Sequence, residues 1–125
     1  MTPPKTGTEL RREILAMVEG CVCKDRQNTY GDAEDNFANI ASIANTVLAG
    51  KLSKPLDALD VAIFSACIKI ARCRTSPRHL DNLIDLAGYA VCGAGIVKRE
   101  KESWPNGIPD VDYQKMHELY EKLGK

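Results

Sequence analysis

Acidic side chains occur at helical spacings in the second half of the sequence. Asp81 and Asp85 are four residues apart in the apolar stretch HLDNLIDLAGYA, and this spacing places both on one face of a helix. Asp60 lies in an earlier stretch whose apolar residues recur every three or four positions. Clustered carboxylates can hold Mg²⁺ against a triphosphate and orient a water molecule. If the protein is a Mg²⁺-dependent enzyme, Asp60, Asp81 and Asp85 are therefore the candidate metal ligands; otherwise no cofactor is expected with certainty.

Two cations in the preceding helix offer the opposite chemistry. The short break TSPR makes the two helices antiparallel neighbours, which places Arg72 opposite Asp81 and Lys69 opposite Asp85. These pairs can be purely structural ion pairs, or the aspartates can fix cations that bind a phosphate. The same register puts Asp60 about 12 Å along the axis from Asp85, so one chain does not bring the three aspartates together. In a two-fold dimer, an antiparallel second copy could bring its own Asp60 toward Asp81 and Asp85.

The polar loop KDRQNTYGD carries a further set of candidate ligand-binding residues. Arg26 can fork onto a phosphate, Tyr30 can stack on a base, and Gly31 permits close approach of the backbone. Asn36 lies on or beside the apolar stripe of the next helix and needs a hydrogen-bond partner. The alternative interpretation is a loop whose arginine pairs with a nearby acid and whose tyrosine packs on the core.

Five helices are predicted to position these residues, and no strand pattern longer than a few residues occurs. A capping box of Thr6 and Glu9 begins helix 1, and Asp32 caps helix 2, which ends at Gly50. Helix 3 is predicted at about 56–74, helix 4 at about 79–102, and a last helix at 110–123. The sequence therefore predicts an all-α fold. We expect one domain, 1–125, with its core in 8–102, built as a compact bundle around the antiparallel hairpin of helices 3 and 4.

The glycines of helix 4 indicate close helix packing. Gly88, Gly93 and Gly95 each cost a helix roughly 1 kcal/mol relative to alanine. Close approach of another helix, from the same chain or from a second copy, is the natural compensation. We therefore expect a homo-oligomer, a dimer or larger.

Composition excludes several classes of protein. Lysine plus arginine and aspartate plus glutamate number 17 each, so no broad positive field exists to bind nucleic acid without sequence preference. The five cysteines are an odd number in apolar helical patterns, which indicates a reducing cytosol, and they lack the spacing of a zinc site. No signal peptide is read, and the longest uncharged run, 86–97, is too short to span a membrane.

Three segments together resemble a family of small phage and prophage proteins of unknown function. The segments are DRQNTYGDAEDNFANIASIA, LDVAIFSACIKIAR and HLDNLIDLAGYAVCG. The family itself looks like a distant relative of the MazG-type all-α nucleoside triphosphate pyrophosphohydrolases, which are oligomers that hold Mg²⁺ with acidic helix motifs. The E-E-x-x-E and E-x-x-D motifs of those enzymes do not occur here. The resemblance implies a recurring pattern at Arg26, Tyr30, Gly31, Asn36, Asp60, Lys69, Arg72, Asp81, Asp85 and Tyr89.

The residue inventory favours binding of a nucleotide over its hydrolysis. Binding needs cations that contact phosphate, an aromatic side chain that stacks on the base, and a rigid pocket. The sequence supplies such cations and aromatic residues better than it supplies a cluster of carboxylates. With the phage resemblance, the expected function is sequestration of a small phosphorylated nucleotide in the host cytosol, such as a cyclic nucleotide host-defence signal. A Mg²⁺-dependent pyrophosphohydrolase and a structural or protein-interaction oligomer are the alternatives. The expected ligand-binding residues are Arg26, Tyr30, Gly31, Asn36, Lys69, Arg72 and Tyr89.

Overall fold

The computed structural model describes residues 2–25, 32–104 and 106, and all regular structure in these residues is helical. The all-α prediction is confirmed. The described part contains four α-helices rather than five, and the helix predicted at 110–123 lies outside it. The elements are α1 (Gly7–Glu19), a π-helical segment that continues it (Gly20–Asp25), α2 (Ala33–Val47), α3 (Ala58–Thr75) and α4 (Leu80–Ser103).

Side-chain caps determine where α1 and α3 begin. Thr6 and Glu9 form the predicted capping box, in which each side chain accepts a hydrogen bond from the other residue's backbone N–H. Asp57 and Asp60 form a second box that was not predicted, with bonds of 2.9 and 3.0 Å. Because Asp57 takes the cap position, α3 begins at Ala58, two residues later than expected.

The segment between α2 and α3 is held by one side chain. Asn45 donates to the carbonyl of Leu56 at 2.9 Å and accepts from the backbone N–H of Leu56 at 2.6 Å. Gly50 adopts a φ of +89°, a conformation that glycine takes most readily. At the other end of α2, Asp32 is the predicted N-cap residue, but its side chain makes no capping hydrogen bond.

The core lies where α2, α3 and α4 meet. The α3–α4 hairpin is antiparallel as predicted, and a Cβ on Gly93 would lie 3.5 Å from Leu59 and 3.7 Å from Ala62. These are ordinary contact distances, so α3 packs closely on α4 here without requiring a glycine at this position. The buried apolar side chains of these three helices are Phe37, Ala38, Ala41, Ala58, Val61, Ala62, Ile84, Cys92 and Ile96.

One face of α3 differs from the prediction. The periodicity groups Asp60 with Ile63, Phe64 and Cys67 on a single face, which was expected to be the core face. These three apolar side chains are exposed instead, because α2 and α4 pack against the other sides of α3, around Val61 and Ala62. Asp60 itself is half-buried, and its carboxylate accepts a hydrogen bond from the backbone N–H of Asp57.

Helix α4 contains a long apolar segment. By length and composition alone it could cross a membrane, a criterion that the core helix of a soluble protein also meets. From the sequence, the uncharged run 86–97 is too short to span a membrane, but α4 extends well beyond that run at both ends. In this fold α4 packs against α1, α2 and α3.

Candidate functional site

The ion pair of Lys69 and Asp85 joins the two helices of the central hairpin. The Lys69 Nζ lies 2.9 Å from a carboxylate oxygen of Asp85, which confirms the register predicted from the short turn. The lysine side chain is 13% exposed and the aspartate side chain 34%. Removal of either partner would leave a largely desolvated charge, so the pair holds its cation in a fixed position.

The second predicted pair does not form. Asp81 is exposed and its carboxylate lies 3.9 Å from the Nε2 of His79, the N-cap residue of α4 two positions earlier. Arg72 is exposed and makes no ion pair with Asp81. The prediction was wrong because residues near the hairpin turn can point into solvent, whereas Lys69 and Asp85 lie one turn further into the packed region.

A small cavity adjoins the Lys69–Asp85 pair. It lies between the π-helical segment and α4 and has a volume of about 20 Å³, enough for one water molecule. Close approach at its edge depends on Gly88, because a Cβ there would lie 3.1 Å from the Cγ1 of Val22. π-Helical turns occur frequently at functional sites. The residues that line the cavity are Cys21, Val22, Ile84, Asp85, Gly88, Tyr89 and Cys92.

Tyr89 connects this cavity to α2. Its ring packs against that of Phe37, with centroids 6.2 Å apart and planes tilted by 40°. Asn36, the neighbour of Phe37, is half-buried at the start of the same helix. The structure therefore brings Lys69, Asp85 and Tyr89 to one end of the hairpin.

The other predicted site residues lie elsewhere or outside the described part. Asp60 is at the opposite end of the hairpin, in the capping box that begins α3. Arg26, Tyr30 and Gly31 fall outside the described residues, directly after the π-helical segment that lines the cavity. Within 2–25, 32–104 and 106, no group of three or more histidine, cysteine or acidic side chains is arranged to hold a metal ion.

Two buried carboxyl groups were missed by the sequence analysis. Asp57 is 6% exposed and Glu100 is 4% exposed. Burial is the main cause that raises the pKa of both groups above their ordinary values, and the charge of Asp57 raises the pKa of Glu100 further. A signal for Asp57 existed in its spacing of three from Asp60, which fits a capping box. Glu100 stands in the charged run KREKE, where nothing distinguishes it from its exposed neighbours.

A family model described as a domain of unknown function (DUF6378) matches residues 13–97. The chain belongs to this family. The matched region includes all of α2 and α3 and most of α4, and so contains both Lys69 and Asp85. The predicted resemblance to small phage proteins of unknown function is therefore confirmed at the level of the family.

Two curated relatives of this DUF6378 chain come from bacteriophages. It is 31% identical over 96 residues to the Gene 55 protein of Mycobacterium phage D29, covering 77% of this chain and 61% of the relative. It is 33% identical over 94 residues to the Gene 55 protein of Mycobacterium phage L5, covering 75% of this chain and 58% of the relative. The chain thus spans about three fifths of the length of these relatives. No solved structure matches it.

Proposed function

We propose that this DUF6378 protein binds a small phosphorylated nucleotide without cleaving it, acting in the host cytosol as a homo-oligomer. The observation that carries the proposal is the arrangement of two cations one helical turn apart on α3. Lys69 is fixed by Asp85 beside the cavity, and Arg72 is exposed without an ion pair to Asp81. A fixed cation and an available guanidinium side by side suit an anionic phosphate.

An aromatic side chain at the same end of the hairpin supports a nucleotide rather than inorganic phosphate. Tyr89 lines the cavity, and its ring is already oriented by Phe37. Arg26 and Tyr30 follow the π-helical segment closely in the sequence, and we propose that both reach the ligand, with Gly31 and Asn36 beside them. A stacking ring next to cations is the combination that binds a base and its phosphates together.

The acidic residues support binding more than Mg²⁺-dependent hydrolysis. Asp85 is engaged by Lys69, Asp60 by the backbone of Asp57, and Asp81 lies beside His79. Holding Mg²⁺ against a triphosphate requires several of these carboxylates to converge on one point. The structure instead distributes them over both ends of the hairpin.

Both curated relatives are phage proteins, and we propose a role against host defence. A protein that only binds a nucleotide acts by lowering its free concentration, which suits a signalling nucleotide that the host makes in small amounts. We therefore propose a cyclic nucleotide or a related defence signal as the ligand. Because the phage relatives are longer than this chain, the proposal concerns the region that they share with it.

Calorimetric titration with linear and cyclic nucleotides, with and without Mg²⁺, tests the proposal. We expect saturable binding of at least one nucleotide, and its recovery intact after heat denaturation. Arg72→Ala should weaken binding at least about tenfold, the loss of one charge-assisted contact, with an unchanged melting temperature. Arg12→Ala, which removes an exposed arginine of α1, is the matched control.

Two results would refute the proposal in different ways. Release of a monophosphate and pyrophosphate only when Mg²⁺ is present would establish the hydrolase alternative. Absence of binding by every nucleotide would leave an oligomer with a structural or protein-interaction role.

A further inference from the structure

The exposed face of α3 forms a regular stripe. Its members recur at spacings of three and four residues, which is the repeat of a helix that packs along another helix. Ile63, Phe64 and Ile70 are each more than half exposed, and Cys67 is also exposed. We name this surface the α3 stripe and define it as Asp60, Ile63, Phe64, Cys67, Ile70, Ala71 and Arg74.

An apolar groove runs beside the α3 stripe, between α3 and α4. Its volume is about 400 Å³ and it is open to solvent. Small side chains at Ala66, Ala90 and Ala94 form part of its wall, so a second helix could approach closely. Exposed apolar side chains beside an open apolar groove offer a surface on which another helix could pack.

The charges at the two ends of the stripe identify its partner. Asp60 lies at the N-terminal end of α3 and Arg74 in its last turn, so one end is acidic and the other basic. Each stands seven residues from Cys67, one before it and one after it. A surface with opposite charges at equal distances from its centre is complementary to itself when two copies are related by a two-fold axis.

We propose that the α3 stripe is the interface between two copies of this chain, with the two α3 helices antiparallel and Cys67 at the two-fold axis. In this register Asp60 faces the second copy's Arg74, and Arg74 faces the second copy's Asp60. Phe64 faces Ile70 in the same manner, and Ile63 faces Ala71. The ion pairs at the ends select the antiparallel orientation, because a parallel pair would place like charges together.

This inference deepens the oligomer of the proposed function by naming its surface. It does not depend on the ligand, and the α3 stripe contains none of the proposed ligand-binding residues, although Tyr89 lines the groove beside it. If the protein assembles through another surface, the proposed oligomer is retained and only the assignment of the interface to the α3 stripe is refuted. The two proposals therefore fail in different experiments.

Thiol crosslinking of the full chain tests the position of the two-fold axis. Helix axes in contact lie about 8–10 Å apart, so facing cysteines are within reach of a short bis-maleimide reagent. We expect a covalent dimer with the native sequence and loss of that dimer in Cys67→Ser. Cys23→Ser removes another exposed thiol and should leave the crosslink unchanged, which makes it the matched control.

Light scattering of the uncrosslinked protein supplies the second measurement. A dimer mass together with a Cys67-dependent crosslink supports the proposal. A monomer mass would overturn the proposal. It is the result expected if another segment of the same chain covered the α3 stripe. A dimer or larger oligomer without crosslinking at Cys67 would also overturn it.

Charge reversal at one end of the stripe tests the orientation. Arg74→Glu places like charges opposite each other at both ends of the dimer, and we expect its dissociation constant to rise about tenfold. Arg72→Glu adds the same charge in the same last turn, but two residues away and therefore on a different side of α3. Equal effects of the two variants would contradict the proposed register.

Discussion

The buried carboxyl group of Glu100 leads to a specific prediction about stability and pH. Glu100 is 4% exposed and lies on the side of α4 that faces the start of α3. Among the described residues its carboxylate has neither a hydrogen bond nor an ion pair. Burial together with the charge of Asp57 raises its pKa above the ordinary 4.5. We therefore expect Glu100→Gln to stabilise the fold at neutral pH.

The size of the effect follows from what the substitution changes. A buried polar group without a partner costs about 1–3 kcal/mol, and more when it is charged. Glutamine keeps the shape and the buried polar atoms, so only the cost of the charge and its repulsion by Asp57 is removed. We expect the free energy of unfolding at pH 7 to rise by about 1 kcal/mol, which is a melting temperature higher by about 4 °C in a domain of this size.

The same effect should vary with pH in a defined direction. A carboxyl group whose pKa is raised by folding binds its proton more tightly in the folded state than in the unfolded state. Its contribution to stability is therefore fully present below pH 4.5 and is lost as the pH rises through the pKa of the folded state. Glu100→Gln should match the native protein near pH 4 and exceed it in stability at pH 7.

Urea denaturation of the native protein and the variant at pH 4, 5, 6 and 7 measures this difference. Glu102→Gln is the control, because Glu102 is exposed two residues further along the same helix. Its substitution should change stability little at any of these pH values. A Glu100→Gln protein that is less stable at pH 7, or equally stabilised at all four pH values, would refute the argument from burial.

Two further substitutions test how the helices are held together. Asn45→Ala should lower the free energy of unfolding by about 2 kcal/mol, because both hydrogen bonds to the Leu56 backbone are lost, while exposed Asn39→Ala should change it little. A small effect at Asn45 would show that the segment between α2 and α3 does not need this anchor. Gly95→Ala should raise the free energy of unfolding by up to about 1 kcal/mol in thermal melts, because the added Cβ meets only the movable end of Glu34. A lower melting temperature would show that Glu34 cannot move aside.

The four described helices and the antiparallel hairpin of α3 and α4 could be predicted because they depend on local sequence. Two helices joined by a break of only four residues pack as an antiparallel hairpin, because the short connection cannot reach any other arrangement. Helix periodicity then determines which residues face each other. This reasoning located the Lys69–Asp85 pair correctly. It failed for Arg72 and Asp81, which lie close to the turn, where side chains are not held by packing on both sides.

The burial of particular faces could not be predicted from periodicity. A repeat of three and four residues shows which side chains share a face, but the choice between core and solvent depends on where distant helices pack. On α3 that choice is made by α2 and α4, which cover Val61 and Ala62 and leave Phe64 exposed. Glu100 shows the converse, because a charged residue in a charged run is buried by elements far away in the sequence.

The failed pairing and the exposed face together bear on function. If Asp81 had neutralised Arg72, the cation one helical turn from Lys69 would not be available to a phosphate. If α2 or α4 had covered Phe64, the α3 stripe would not be available for the proposed dimer. The departures from the predicted structure thus concern the residues from which we propose both the ligand site and the dimer. Arg72 and Arg74, two residues apart on different sides of one helix, would then serve different partners, so their single substitutions should separate ligand binding from assembly.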